Sequence, residues 1–279
     1  MTERADAHIH LFDNAYQGSF CGRPGVAIDE AKLFESLAGE HGVTAALVVA
    51  FADLPWCAQN NTYLAGLTHV PWIQATAYHN PDCAPSPAEL DALRGKGFVG
   101  LSMYITDEQR VEQLQQVSDD TWSWLVDHRW LISVNSRLKL WDGFVPVLER
   151  HPQLRVVGSH LGLPPKVTSP IDAAQARRDL GILAIAPYPG PRVKLSGFYA
   201  MTDPGHDYPH ETAWPYVEQL RDGFGSKRLL WASDYSPCLD YLTYAQTMDL
   251  FEKMPFLDAA QREQILGANL HQLIRDVTS

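Results

Sequence analysis

The chain has 279 residues, of which 22 are Lys or Arg and 33 are Asp or Glu, so its formal net charge is −11. An acidic chain without a run of Lys or Arg is not expected to bind nucleic acid or an anionic membrane surface. The hydrophobic content of 46% is enough for a sizeable core, but no apolar stretch approaches the roughly 18 residues of a membrane helix.

The cysteines and the N-terminus together predict a cytoplasmic protein. Cys21, Cys57, Cys83 and Cys238 are widely spaced and form no Cys-x-x-Cys pair. The polar opening Met-Thr-Glu-Arg leads into the first apolar run without a secretory signal region. We therefore expect reduced thiols and a location in the cytoplasm.

Eight apolar runs rich in β-branched residues recur along the chain, as is typical of strands buried on both faces. They span residues 6–12, 43–51, 70–78, 98–105, 130–136, 154–160, 192–199 and 228–234. Helical patterns fill most of the intervals, at 29–42, 87–97, 121–130, 142–152, 171–186 and 213–225. This alternation predicts an α/β fold, a (β/α)₈ TIM barrel, as a single domain over residues 1–279.

The last segment, "LDAAQREQILGANLHQLI", has apolar residues at helical spacing and predicts a helix that closes the barrel. A doubly wound open sheet is the competing architecture. It is disfavoured because "HLFDNAYQG", after the first strand, lacks the glycine fingerprint of a phosphate loop.

The first strand carries an unusual polar pattern, "RADAHIHLFD". Side chains alternate across a strand, so the spacing predicts Asp6, His8 and His10 on one face and small or apolar residues on the other. A carboxylate and two imidazoles on one face predict a catalytic or metal site.

Polar residues also end three later strands, where the active site of such a barrel lies. They are Asn135 or Ser136 on the fifth strand, His160 after the sixth and Asp234 after the eighth. Strands one and eight become neighbours when a barrel closes, which would bring Asp234 beside the two histidines of the first strand.

The order and spacing of several motifs resemble the amidohydrolase superfamily, in its amidohydrolase-related branch of 2-pyrone-4,6-dicarboxylate lactonases and sugar lactonases. The motifs are "DAHIHLF", "GFVGLSMY", "HPQLRVVGSHLGLP", "VKLSG", "WASDYSP" and "ILGANLHQLI". The resemblance implies a TIM-barrel enzyme whose catalytic residues are His8, His10, His160 and Asp234. It also implies a small-molecule substrate, with oligomers possible.

The chain departs from that family in two ways. Metal-dependent members end the fifth strand with a His ligand, where "WLISVNSR" offers only Asn135 or Ser136. The pyrone-dicarboxylate lactonases lack that His and act without metal. Arginines that bind carboxylates in those enzymes are replaced by Ser102, Leu163 and Ala200. We expect no cofactor, or one weakly bound Zn²⁺ on His8, His10 and Asp234.

Side chains near strand ends are candidates for substrate binding: Asn135, Arg137, Tyr104, Tyr199, His79 and Trp56. Further aromatic candidates are Tyr78 and Tyr235. Arg23 and Lys194 complete the nearby cations, with Lys194 expected below the site because it comes early in its strand. In the loop "TDPGHDYPHETAW", which could act as a lid, we expect His206 and His210 to be solvent-exposed, since its Pro and Gly residues disfavour a helix.

Three functions remain open. The first is hydrolysis of a lactone, with Asp234 as the general base that activates water. The second is a metal-dependent decarboxylase of the same superfamily. The third is a barrel that has lost catalysis and serves as a binding protein.

Overall fold

A computed structural model of the protein describes residues 3–16 and 28–278. Eight strands form one sheet in chain order, and the neighbours from the first pair to the seventh are parallel. The strands are β1 (Arg4–Ile9), β2 (Val43–Val48), β3 (Ile73–Tyr78), β4 (Gly100–Ile105), β5 (Leu131–Ser136), β6 (Arg155–Gly158), β7 (Arg192–Leu195) and β8 (Leu229–Trp231). The predicted (β/α)₈ barrel is confirmed, and the doubly wound alternative is wrong.

Helices cover the outside of the sheet and connect successive strands. They are α1 (Glu30–Glu40), α2 (Asn60–Ala65), α3 (Pro87–Gly95), α4 (Glu108–Leu114), α5 (Asp119–Asp127), α6 (Val145–Arg150), α7 (Ala173–Asp179), α8 (Phe198–Met201), α9 (Trp214–Phe224), α10 (Gln246–Lys253), α11 (Ala259–Glu263) and α12 (Asn269–Thr278). Within the described ranges, no helix is long and apolar enough to cross a membrane.

The barrel closes where the end of β1 meets the segment after β8. The Asp234 amide donates to the carbonyl of His8 (2.9 Å), and the His10 amide donates to the carbonyl of Tyr235 (2.5 Å). Ile9 and Tyr235 form a parallel bridge at the same place. This junction, which we call the seam, places two polar strand ends side by side.

The interior of the barrel is apolar at its N-terminal end. Small and branched side chains from several strands form one buried cluster there, and Leu270 and Leu273 of α12 cover it. The predicted closing helix is interrupted by a π-helical turn at Gln264–Ala268. Gly267 lies so close to the chain start that an added Cβ would come within 2.3 Å of the Glu3 carbonyl oxygen.

One prediction about the loop after β7 is wrong. His206 is exposed as expected, but His210 is fully buried. Its Nδ1 lies 2.8 Å from the Thr202 hydroxyl, which itself donates to the Phe198 carbonyl, so the imidazole is the donor. Its Nε2 has no hydrogen-bond partner in the described part of the chain. The loop folds back on α8 and brings this histidine with it.

Burial lowers the pKa of His210 from 6.5 to about 4. Between those values the unfolded chain binds more protons than the folded chain, so this residue must destabilise the protein as the pH falls. We expect His210→Asn, which keeps a donor for Thr202 but does not titrate, to lose less thermal stability than the parent between pH 7 and pH 4. Melting temperatures across that range test this, and equal slopes would contradict it.

Candidate functional site

Three potential ligand atoms meet at the seam. The Nε2 atoms of His8 and His10 lie 3.0 Å apart, and each lies 3.7 Å from Oδ1 of Asp234. All three residues are buried, and their ligand atoms lie within 4.8 Å of one another. The structure therefore brings together the histidines of β1 and the aspartate after β8, in the arrangement predicted from barrel closure.

Asp6 does not join this cluster. Its carboxylate accepts from the backbone amides of His8 (3.1 Å) and Ser233 (2.9 Å) and from the hydroxyl of Tyr244 (3.2 Å). Tyr244 packs on Trp231, in the layer between strands and helices. The pairing of β1 with β2 is irregular between Asp6 and Ile9, which breaks the simple alternation. The prediction that Asp6 shares a face with both histidines is therefore wrong.

His160 completes the set from the other side of Asp234. Its Nδ1 lies 2.9 Å from the Ser196 hydroxyl and 3.9 Å from Oδ2 of Asp234. Both His160 (φ 52°) and Asp234 (φ 63°) have left-handed backbone, which costs about 1–2 kcal/mol in a residue with a side chain. Such strain is concentrated at functional sites, because the surrounding structure has to maintain it.

Lys194 lies below the cluster, as its position in β7 predicted, but it also contacts the site. Its Nζ is fully buried, 3.2 Å from Nδ1 of His8 and 2.6 Å from the hydroxyl of Ser133. The Ser159 hydroxyl lies 3.3 Å from the same Nδ1. The ring of His8 is thus held from beneath by groups of β7 and of the segment that follows β6.

Burial governs the charges of the site. Desolvation lowers the pKa of His8 and His10, and it lowers the pKa of His160 to about 3. It also lowers the pKa of Lys194 to about 7 and raises that of Asp234, against the attraction of His10. The imidazoles are therefore neutral at pH 7, and neutral imidazoles can bind a metal ion or form hydrogen bonds with a substrate.

Tyr199 contacts the Asp234 carboxylate directly. Its hydroxyl donates to Oδ2 of Asp234 (2.5 Å), and its ring stacks on that of Tyr241, with centroids 4.9 Å apart. Tyr241 is 48% exposed, so the pair extends from the buried carboxylate to the surface. The strand-end position of Tyr199 had predicted its proximity to the site, whereas Tyr241 gave no signal in the sequence.

Tyr104 and Asn135 are register partners on β4 and β5. Below Asn135 on the same strand, Ser133 points into the barrel toward Lys194, so alternation places Asn135 on the inner face. Ser136 points the other way, and its buried hydroxyl has no hydrogen-bond partner among residues 3–16 and 28–278. Of the two candidates on this strand, Asn135 is therefore the one on the inner face of the barrel.

Two other predicted binding residues, Trp56 and His79, contact groups other than Asp234. Trp56 packs on Phe12 (4.8 Å between centroids), which stacks in turn on the His10 ring (5.8 Å). His79 is partly buried, and its Nδ1 lies 3.2 Å from the Cys83 carbonyl.

Three more candidates lie outside the cluster. Arg137 is exposed, with its guanidinium 3.5 Å from the Thr106 carbonyl. Tyr78 and Tyr235 are buried, and both pack in the main hydrophobic core. Arg23 lies outside the described residues.

The three positions at which the family resemblance would place carboxylate-binding arginines have uncharged residues. The Ser102 hydroxyl is buried and donates to the Ala50 carbonyl, Ala200 is exposed, and Leu163 has left-handed backbone. Within the ranges that the structure covers, Lys194 is the one Lys or Arg in contact with the histidines or Asp234. Its contacts with His8 and Ser133, and its complete burial, keep it from pairing with a substrate carboxylate.

The donor set fits one divalent metal ion. Two imidazole nitrogens that face each other, with a carboxylate oxygen beside them, match the three protein ligands of many catalytic zinc sites. The nitrogens of two ligands about 2.0–2.1 Å from a tetrahedral zinc are roughly 3.3 Å apart, close to the observed 3.0 Å. Asn135, which takes the position of the missing fifth-strand ligand, offers only an amide.

Comparison with known proteins agrees with this fold. The family model described as amidohydrolase matches residues 5–273, and the chain belongs to that family. A Burkholderia ambifaria L-fucono-1,5-lactonase is 26% identical over 255 residues, covering 84% of this chain and 81% of the relative. The protein is accordingly a hydrolase.

Two solved structures share the fold. An amidohydrolase from Burkholderia multivorans with bound zinc has a TM-score of 0.77 and 20% identity, over 98% of this chain and 99% of the other. A putative 2-pyrone-4,6-dicarboxylic acid hydrolase from Pseudomonas putida has a TM-score of 0.71 and 18% identity, over 99% and 98%. At such identities these similarities establish the barrel and nothing finer.

Gly197 offers a test of how closely His160 is held. An added Cβ would lie 3.0 Å from both Cβ and Nδ1 of His160, and the residue has φ 71°. Gly42 has a similar positive φ (68°) but nothing within 4 Å of an added Cβ, so it is the control. Each Gly→Ala change should cost about 1–2 kcal/mol of stability through its backbone, whereas only Gly197→Ala should also lower activity, by tenfold or more. Equal activities of the two variants would contradict this arrangement.

Proposed function

We propose that the protein opens an uncharged lactone by general-base activation of water, with Asp234 as the base. The observation that carries this proposal is the position of the Asp234 carboxylate among His8, His10 and His160, with its Oδ2 bonded to Tyr199. Burial raises the pKa of Asp234, which brings it closer to the range of an efficient base. The L-fucono-1,5-lactonase relative supports the same reaction.

The reaction needs one proton to move twice. Asp234 takes a proton from water as the water oxygen bonds to the lactone carbonyl carbon. The carbonyl oxygen gains charge, and imidazole N–H groups facing the cavity stabilise it. The ring carbon–oxygen bond then breaks, and the leaving oxygen takes the proton back from Asp234. The product is an open hydroxy acid, and the enzyme returns to its starting state.

One tautomer of His160 supplies such a hydrogen-bond donor. When the Ser196 hydroxyl donates to Nδ1 of His160, the proton of the neutral ring is on Nε2, which can donate to the substrate oxygen. His10 donates from Nδ1 to the Val49 carbonyl (2.8 Å), so its neutral ring has only an acceptor at Nε2. Of the two β1 histidines, only His8 can therefore carry a proton on the Nε2 that faces Asp234. A metal ion held by His8, His10 and Asp234 would polarise the carbonyl and acidify the attacking water.

The substrate class follows from the lining of the site. Aromatic rings stand beside the cluster, and the described residues supply no free cation next to it. Rings of this kind favour the apolar face of a compact molecule, whereas a carboxylate would need a cationic partner. We propose neutral sugar-like or aromatic lactones as substrates, bound beside Tyr104, Asn135 and Tyr199, whereas Trp56, His79 and the exposed Arg137 lie outside the cluster.

Asp234→Asn should lower kcat for the best lactone of a mixed panel by at least a hundredfold, because the amide cannot accept the proton. Asp222→Asn, at an exposed carboxylate paired with Arg221, is the matched control and should leave the rate unchanged. Full activity of Asp234→Asn, or no turnover of any lactone by the parent protein, would overturn the proposal.

Metal removal gives a second test. Because the fifth-strand position offers an amide rather than an imidazole, we propose that the metal is held weakly and that activity survives exhaustive chelation within about twofold. Metal analysis of the purified protein should find well under one zinc per chain. A stoichiometric zinc, with activity lost on its removal and restored on its return, would refute metal independence.

Decarboxylation is the second candidate, and the observation that favours it is the three-donor metal site itself. A decarboxylase of this superfamily would use that metal to bind a carboxylated substrate. Metal-dependent release of carbon dioxide from an aromatic or unsaturated acid, without lactone hydrolysis, would select it.

A further inference from the structure

Glu30 is a buried carboxylate that the proposed reaction does not use. It is the first residue of α1 and is 1% exposed. Its Oε2 accepts from the backbone amide of Phe12 (2.8 Å), and its Oε1 accepts from the backbone amide of Tyr16 (3.0 Å) and the hydroxyl of Ser236 (2.6 Å). One carboxylate thus joins the loop after β1, the start of α1 and the segment after β8.

The partners of Glu30 stand next to the reacting groups. Phe12 follows His10 by two residues and stacks on its ring, with centroids 5.8 Å apart. Ser236 follows Asp234 by two residues. The Glu30 carbonyl also accepts from the hydroxyl of Tyr235 (3.1 Å), whose own carbonyl accepts from the His10 amide. Hydrogen bonds of Glu30 therefore stabilise the seam at the same height in the barrel as the site.

Water would solvate a carboxylate at the surface, but a carboxylate with this burial depends on its protein partners. Three donors among residues 3–16 and 28–278 bond to it, and each would otherwise need another acceptor. The carboxylate needs its donors and the donors need the carboxylate, so few other conformations satisfy them all. The hydrogen bonds of Glu30 therefore fix the distance between the loop after β1 and the segment after β8. Left-handed backbone at Asp234 needs such external support.

We propose that Glu30 is a positioning residue of the site, which holds His10 and Asp234 at their working separation through Phe12 and Ser236. The inference rests on the proposed hydrolytic function, since the separation matters for the step in which Asp234 takes the proton. Glu30 touches neither substrate nor reacting atoms and acts only through these neighbours.

The experiment compares Glu30→Gln with Glu35→Gln, which changes an exposed carboxylate on the same helix that accepts from the indole of Trp72. A glutamine keeps the shape but turns one acceptor oxygen into an NH₂ group, which would face a donor. We expect kcat for lactone hydrolysis to fall at least tenfold in Glu30→Gln and to stay unchanged in Glu35→Gln. Both proteins are assayed well below their melting temperatures, so that loss of folded protein does not contribute.

Ser236→Ala removes one of the three bonds and is the second arm. It should lower kcat severalfold with KM unchanged, and adding it to Glu30→Gln should lower kcat no further, because both changes break the same link. If Glu30→Gln fails to fold, Ser236→Ala alone decides. Wild-type kcat in either variant, or strict additivity of the two changes, would overturn the proposal.

Hydrogen exchange separates this inference from the proposed function. The amides of His10 and Asp234 bond across the seam, so their exchange reports its integrity without any substrate. If the parent protein hydrolyses no lactone, the proposed function fails. The seam amides should still exchange at least tenfold faster in Glu30→Gln than in Glu35→Gln, and equal exchange would reject Glu30 as their support.

Discussion

The closure of β1 against β8 is the contact on which the rest of the site depends. Only a handful of backbone hydrogen bonds make it, including those of the Asp234 and His10 amides. Those bonds bring the first and last strands together, although more than 220 residues separate Asp234 from His10 in the chain. Two buried carboxylates stabilise this closure: Asp6 accepts from the Ser233 amide, and Glu30 accepts from the Ser236 hydroxyl.

Much of this architecture could be predicted from the sequence. Buried strands are continuous apolar runs, so all eight were visible, and the polar residues at their ends indicated His160 and Asp234. The orientation of Asp6 could not be predicted, because the irregular pairing within β1 depends on how its neighbours pack. The burial of His210 was missed for a related reason: proline and glycine in a loop exclude a helix but not a fold back onto the protein.

The tertiary contacts of two of the most constrained groups gave no recognisable signal. Lys194 stands in a short apolar strand, and its contact with His8 requires strands that lie far apart in sequence. Glu30 opens an ordinary amphipathic helix, where acidic residues are common because they complement the helix dipole. Its burial between two loops is a tertiary property. A single sequence shows which residues are polar, but not which of them meet.

The electrostatics of the site are compatible both with the proposed activation of water and with the proposed weak metal binding. Neutral imidazoles can serve either as metal ligands or as hydrogen-bond partners of a substrate. The position that would add a further strong ligand carries Asn135 instead. Asp234 and the histidines can therefore act on an uncharged carbonyl group through hydrogen bonds alone, in a buried setting where such bonds are strong.

Hydrolysis in ¹⁸O-labelled water tests the central claim most directly, because it follows the oxygen atom that Asp234 is proposed to activate. The account predicts that an uncharged lactone is converted to its hydroxy acid with one ¹⁸O in the carboxyl group and none in the released hydroxyl, as mass spectrometry of the product fragments would show. Label in the hydroxyl, or turnover that releases carbon dioxide with no labelled acid, would contradict attack of water on the lactone carbonyl.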